Sequence, residues 1–213
     1  IVRLVGSEMC IRDRSTTVIN SYVGPPVSRY LFALIQKLKL SNLTNRLTVM
    51  QSSGGVLDAE SCLQKPAHIV ECGPAAGVVG AEYIAKRSGF DNVITLDMGG
   101  TTAKASIIEG GKYTLADEYE VGGGMSSSSA LVGKGGYALK LPVIDIAEVG
   151  AGGGSIAWLD GVGSLKIGPE SAGALPGPAC YGLGGERPTV TDANLVLGYL
   201  NPCLLYTSDA ADD

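Results

Sequence analysis

The chain has 213 residues, 45% of them apolar, and a formal charge of −5 with no basic stripe. That length supports one domain or one and a half with ample core, and the charge excludes a nucleic-acid surface. No run of about 18 uncharged apolar residues occurs, so no membrane-spanning helix is expected.

The two ends read unlike the middle. Ile1 to Arg14 (IVRLVGSEMCIRDR) and Cys203 to Asp213 (CLLYTSDAADD) resemble two translated arms of a sequencing-library adapter. Both are expected to be foreign to the fold. Ser15 to Pro202 is then the native stretch, a partial domain.

After Pro25-Pro26, VSRYLFALIQKLKL carries apolar residues at Tyr30, Leu31, Leu34, Ile35 and Leu38, a helical spacing. LTVMQS (Leu47 to Ser52) predicts a short strand closed by Gly54-Gly55. Asp58 opens a short helix through Leu63. Gly73-Pro74 precedes the helix AAGVVGAEYIAKRSG, with Gly89 as its stop. VITLD (Val93 to Asp97) is an apolar run of the buried-strand kind. KASII and KYTLADEYEV follow as strands, then a Ser/Gly loop from Met125 to Gly136. LPVIDIAEV, SIAWLD and SLKIG are further strands, and Ser171 to Gly185 is a Pro/Gly loop. Thr191 or Asp192 caps a last helix, ANLVLGYL. Strands alternating with helices predict an α/β fold.

Glycine is the most informative residue type. There are 31, against about 15 at average usage, and they cluster. The sharpest cluster is Asp97-Met98-Gly99-Gly100-Thr101-Thr102 between two strands. Glycines let backbone amides approach an anion, and the threonine hydroxyls can donate to phosphate oxygens. Asp97 would repel a phosphate unless a cation such as Mg²⁺ stands between them. The sequence lacks Gly-Lys-Ser/Thr and a following helix, so this is not a P-loop. A plain β-hairpin turn also fits the glycines, but such a turn needs neither the acid nor the threonines. The second cluster is Gly150-Ala151-Gly152-Gly153-Gly154-Ser155, between apolar strands where a flexible linker is out of place. Backbone packing on a flat adenosine is the functional reading. Gly73-Pro74-Ala75-Ala76-Gly77 fits an anion site at a helix start and equally a tightly packed helix of small residues.

VMQSSGGV, GPAAGVVGA, DMGGTTAK, VGAGGGSIAW, GPESAGALPGPACYG and PTVTDANLVLG resemble, in this order, the hydantoinase A/5-oxoprolinase family. The resemblance covers essentially all of Ser15 to Pro202. It implies an actin/Hsp70/sugar-kinase-like ATPase fold, ribonuclease H-like, of which this would be an incomplete lobe. It implies ATP and Mg²⁺, with Asp97 toward the metal. Gly99, Gly100, Thr101 and Thr102 would form the second phosphate hairpin. Gly150, Gly152, Gly153, Gly154 and Ser155 would form the adenosine side. The implied parent is an ATP-dependent cyclic amidohydrolase that phosphorylates a carbonyl oxygen, with a small-molecule substrate and a hydantoinase B-type partner. Ketone carboxylase subunits belong to the same family. A sugar-kinase-like phosphotransferase or a non-catalytic nucleotide-binding piece are the other readings, and the segment alone is expected to be inactive. Many relatives carry Asp at the position of Lys104 and His at that of Ala147, so substrate and metal at those positions stay open.

Other residues carry less. His68 reads as structural. Cys180 lacks a histidine to activate it. Asp192 reads as a helix cap rather than a ligand. Asp145 and Glu148 flank the glycine loop without an assigned role. Five cysteines without a C-x-x-C pair argue against zinc or a disulfide framework and for a reducing cytoplasm.

Overall fold

A computed structural model of the chain describes residues 8–43, 45–117, 119–121 and 136–203. The Ser/Gly loop expected from Met125 lies, but for Gly136, outside these residues. The chain divides into two compact units. One comprises residues 1–95 and 106–147, the other 96–105 and 148–213.

The first unit begins with helix α1 (Glu8–Leu40). The sequence predicts a helix only after Pro25-Pro26, yet the helix runs through both prolines. Proline normally breaks a helix interior because it lacks an N–H and crowds the preceding turn. Here tertiary contacts hold the part ahead of it. Ile19 is buried, the Asn20 side chain accepts from the Ala67 amide at 3.1 Å, and the Thr16 hydroxyl accepts from the Lys140 amide at 2.9 Å.

Strands β1 (Thr48–Met50) and β2 (Val56–Asp58) pair as a hairpin around Gly54-Gly55. Gly54 sits at φ +87°, where a side chain is strained. Asp58 then caps α2 (Ala59–Gln64) as expected, accepting from the Ser61 amide at 2.9 Å. That bond, more than the nearby Arg46, holds its carboxyl below the usual range against the opposing effect of burial. A 3-10 turn spans Pro66–Ile69. His68 sits there with its carbonyl accepting from the buried Ser52 amide and hydroxyl, both at 2.8 Å. Burial, then Lys65, lowers its pKa, which fits a structural histidine.

Helix α3 (Cys72–Arg87) follows, with Pro74 in its first turn and Gly89 at φ +80° beyond its end. Ala75 is fully buried and packs with Val78, Ile108, Ile144 and Ile146. Of the GPAAG segment Ala75 therefore serves close packing, while Gly73 and Gly77 are exposed. A second cluster joins Ile19, Ala67, Tyr119, Leu139 and Val143. Each fully buried branched side chain contributes about 1.5–3 kcal/mol.

Strands β3 (Val93–Met98), β4 (Ala103–Glu109), β5 (Lys112–Tyr113) and β10 (Ala147–Val149) form one sheet of order β10-β4-β3, with β5 also on β4. The expected third strand, KYTLADEYEV, breaks into β5, β6 (Leu115–Ala116) and β7 (Tyr119–Val121). They find different partners: β6 pairs with β9 (Val143–Ile144) and β7 with β8 (Tyr137–Leu139). The burial expected of VITLD does not occur. Ile94 and Leu96 are 76% and 74% exposed. β3 lies at the sheet edge, and no described element covers the face carrying these two residues.

In the second unit β11 (Ser155–Leu159) and β12 (Leu165–Ser171) form a hairpin, bulged between Ser155 and Ala157. The Trp158 indole donates to the Gly168 carbonyl at 2.7 Å. Helix α4 (Val190–Val196) closes the unit. Its cap is Thr189, two or three residues earlier than the Thr191 or Asp192 the sequence suggests. Asp192, at N3, completes a capping box.

Candidate functional site

The site expected from the sequence gathers within the second unit. Asp97 lies near the end of β3, one residue before the turn, and is exposed. The turn that follows is tight: the Gly99 amide donates to the Thr102 carbonyl at 3.0 Å. Gly99 and Thr101 are exposed and Gly100 and Thr102 half-exposed, so the turn faces solvent.

The glycine loop lies against this turn, backbone on backbone. Gly153 N donates to Gly99 O at 2.9 Å and Gly154 N to Gly100 O at 2.7 Å. A Cβ on Gly152 would come within 2.6 Å of the Thr101 carbonyl carbon and 2.7 Å of Gly100. One on Gly154 would meet Gly100 O at 3.0 Å. Side chains at these positions would hold the two loops apart.

The contact also orients the turn. In a trans peptide the carbonyl and the next N–H point to opposite sides. With the carbonyls of Gly99 and Gly100 committed to the glycine loop, the amides of Gly100 and Thr101 point together to the other side. Consecutive amides aimed the same way make an anion-binding nest. Among the described residues neither amide has a recorded backbone acceptor.

The glycine loop is held from behind. Its Gly152 amide donates to the Ser155 hydroxyl at 2.9 Å, and Gly153 O accepts from Thr191 N at 2.8 Å. Gly154 O accepts from Ala172 N at 2.8 Å. Gly152, Gly154 and Ser155 are buried, while Gly150 is exposed and Gly153 half-exposed. The loop thus meets the hairpin first; of the residues expected on the adenosine side, only Gly150 and Gly153 are not buried.

Sequence reasoning missed the support behind the loop. The Asp192 carboxylate accepts from Thr189 N (2.8 Å), the Thr189 hydroxyl (2.7 Å) and Cys180 N (2.8 Å). It thereby ties the Pro/Gly loop to the first turn of α4, from which Thr191 reaches Gly153. Burial pushes the Asp192 pKa up, but these donors outweigh it and hold the carboxyl below its usual range. Cys180 moves the other way. Burial first, then Asp192, pushes its thiol up to about 11, so it is no nucleophile at neutral pH. A capping signature, Thr189 with Asp192 three residues on, was present in the sequence, but its link to Cys180 is tertiary. Lys104 faces Glu148, Nζ to Oε1 3.7 Å.

Among the described residues no cluster of three metal-ligating side chains occurs. One exposed carboxylate beside an anion nest still fits Mg²⁺, which binds through one or two carboxylates plus phosphate oxygens and water. A cleft in the first unit is lined by Ile35, Leu38, Leu43, Leu47, Arg46 and Asp58. Arg46 and Asp58 pair there at 3.1 Å and Asp58 caps α2, so these two groups are already engaged.

The sequence model of the family described as Hydantoinase/oxoprolinase matches residues 13–212. The chain belongs to the hydantoinase/oxoprolinase family. It is 50% identical over 186 residues to an uncharacterized protein of Methanocaldococcus jannaschii, covering 87% of this chain and 27% of that protein. It is 41% identical over 189 residues to the caprolactamase alpha subunit of Pseudomonas jessenii, covering 87% and 25%. The nucleotide-free structure of acetone carboxylase superposes with a TM-score of 0.71 at 29% identity, over 93% of this chain and 26% of that one. These relatives make the actin-like ATPase class the fold of this family member. The chain spans about a quarter of their length.

Proposed function

We propose that the protein carrying this chain is an ATP-dependent hydrolase of cyclic amides of the hydantoin or 5-oxoproline type. The observation that carries the reading is the pair of Gly100 and Thr101 amides, turned to one side by the glycine loop and set beside the exposed Asp97. An amide carbonyl resists water because of resonance. Phosphorylating its oxygen makes that oxygen a leaving group and opens the carbon to attack. Such transfer needs positioning and charge neutralisation more than covalent protein chemistry. The hairpin amides and the Thr101 and Thr102 hydroxyls supply donors for phosphate oxygens. Asp97 is the residue to hold Mg²⁺, whose chemistry is to neutralise phosphate charge. Gly150 and Gly153 remain the loop positions open to an adenosine.

The family and the caprolactamase likeness support the substrate class; the relative's name as an alpha subunit supports a partner subunit, for which a hydantoinase B type is the expectation. Cys62, Cys72 and Cys180 are unpaired, which accords with work in a reducing cytoplasm; no described helix is long and apolar enough to cross a membrane. The segment alone is expected to turn over nothing.

A second reading is a ketone carboxylase subunit, favoured by the acetone carboxylase likeness. The same phosphorylation would then trap an enol. The deciding experiment offers the full-length protein, with its partner, Mg-ATP and either a lactam or a ketone plus bicarbonate. Phosphate release that requires the lactam and yields the ring-opened acid supports hydrolysis. Release that requires ketone and bicarbonate refutes it.

A further inference from the structure

Three charged residues lie in one row beside the phosphate turn. The Gly99–Thr102 bond and the Thr95 hydroxyl, which accepts from the Ser106 amide at 3.1 Å, set the antiparallel register of β3 and β4. Both contacts place Asp97 directly opposite Lys104. Such partners share one sheet face. β10 lies on the other side of β4, and its Glu148 carboxylate is 3.7 Å from the Lys104 ammonium. The row is therefore Asp97, Lys104, Glu148: acid, base, acid. Its ends lead into the hairpin on one side and the glycine loop on the other.

This arrangement is poor as a structural device. The Lys104 and Glu148 side chains are only 22% and 18% exposed, so both have lost much of their hydration. Yet 3.7 Å exceeds the 2.7–2.9 Å of a charge-assisted hydrogen bond. A half-buried pair in loose geometry does not repay its desolvation, and apolar replacements commonly match it in stability. Among the described residues Glu148 is the one recorded ionic partner of Lys104. A flexible ammonium is a mobile point charge. It stands two residues behind Thr102, and an arriving phosphoryl group would attract it more strongly than a single carboxylate does.

We infer that Lys104 is a phosphate-binding residue: Glu148 parks its ammonium in the absence of nucleotide, and it moves onto the terminal phosphate when nucleotide binds. This inference rests on the nucleotide reading of the hairpin. It makes Glu148 a competitor of the ligand rather than a support of it, so substitutions of the two partners act in opposite directions.

The test measures Mg-ATP and Mg-ADP dissociation constants by calorimetry on the full-length protein and its Lys104→Met, Lys104→Arg and Glu148→Gln variants. Lys104→Met should weaken Mg-ATP about tenfold and Mg-ADP far less. Lys104→Arg should keep most of the preference for ATP. Glu148→Gln should tighten Mg-ATP. Equal weakening of both nucleotides, no change in Lys104→Met, or Glu148→Gln weakening ATP alongside Lys104→Met would overturn the inference while leaving the nucleotide site intact. Failure of the unaltered protein to bind either nucleotide would overturn the site itself, and this inference with it.

Discussion

Replacing Gly152 by alanine probes the contact on which the hairpin's orientation depends. The added methyl would lie 2.6 Å from the Thr101 carbonyl carbon and 2.7 Å from the carbon and oxygen of Gly100. Carbon atoms rest at about 3.5–4.0 Å, so the loops must separate by about 1 Å. The atoms met are backbone, not the end of a flexible side chain, and cannot swing aside. A shift of that size carries the 2.9 and 2.7 Å bonds from Gly153 and Gly154 to the hairpin carbonyls beyond hydrogen-bond range. Overpacking costs about 1–3 kcal/mol, and each lost bond adds about 1 kcal/mol. The sum, about 3–5 kcal/mol, is a large part of a typical domain's stability of about 5–15 kcal/mol. With the carbonyls released, the Gly100 and Thr101 amides lose their common direction, and nucleotide affinity should fall about a hundredfold. Urea unfolding and Mg-ATP calorimetry on the full-length protein read the two effects. Gly80→Ala is the control: it sits exposed in α3 with nothing within 4 Å of a new methyl, and it should stabilise by up to about 1 kcal/mol. If Gly152→Ala unfolds at the wild-type midpoint and binds nucleotide normally, the hairpin does not depend on the loop.

Asp192→Asn should destabilise the second unit by about 1–3 kcal/mol, because an amide cannot accept all the donors the carboxylate does. The folded-state pKa of Asp192 is depressed. Its contribution is therefore present above the unfolded value and lost as pH falls through the folded one, below the usual carboxylate range. The variant should show a flatter acid limb in a pH series of melting temperatures; an unchanged limb refutes the network. Cys180, with its thiol near 11 against an ordinary 9.0, should react with iodoacetamide at pH 8 about a hundredfold more slowly than in the urea-denatured chain. Equal rates read by peptide mass would contradict the burial of that thiol. Leu139, fully buried in the cluster with Ile19 and Val143, should cost about 2–5 kcal/mol on truncation to alanine in chemical unfolding. A loss under half a kilocalorie would mean that cluster is not a core.

Local chemistry alone determined much of this protein. The cap at Asp58, the glycine turn after Met50, the helix after Gly73-Pro74 and the hairpin following Asp97 depend on near neighbours in sequence, and each stands where its residues predict it. The turn after Asp97 was legible as a candidate phosphate site because an acid, two glycines and two threonines in succession serve no ordinary turn. Long-range contacts decided the rest. Pro25 and Pro26 fall inside a helix because Ile19, Asn20 and Thr16 are held from elsewhere. KYTLADEYEV divides because β5 turns straight back onto β4, whereas β6 and β7 pair with β9 and β8 farther along the chain. The apolar run of β3 stays uncovered because periodicity reports which residues want burial, not whether a covering element is at hand. Above all, the Gly152–Gly154 run announced that some surface must approach closely, but only the fold revealed that surface to be the backbone of Gly99 to Thr101. Close approach is a property of two segments, and one segment's sequence can state the need without naming the partner.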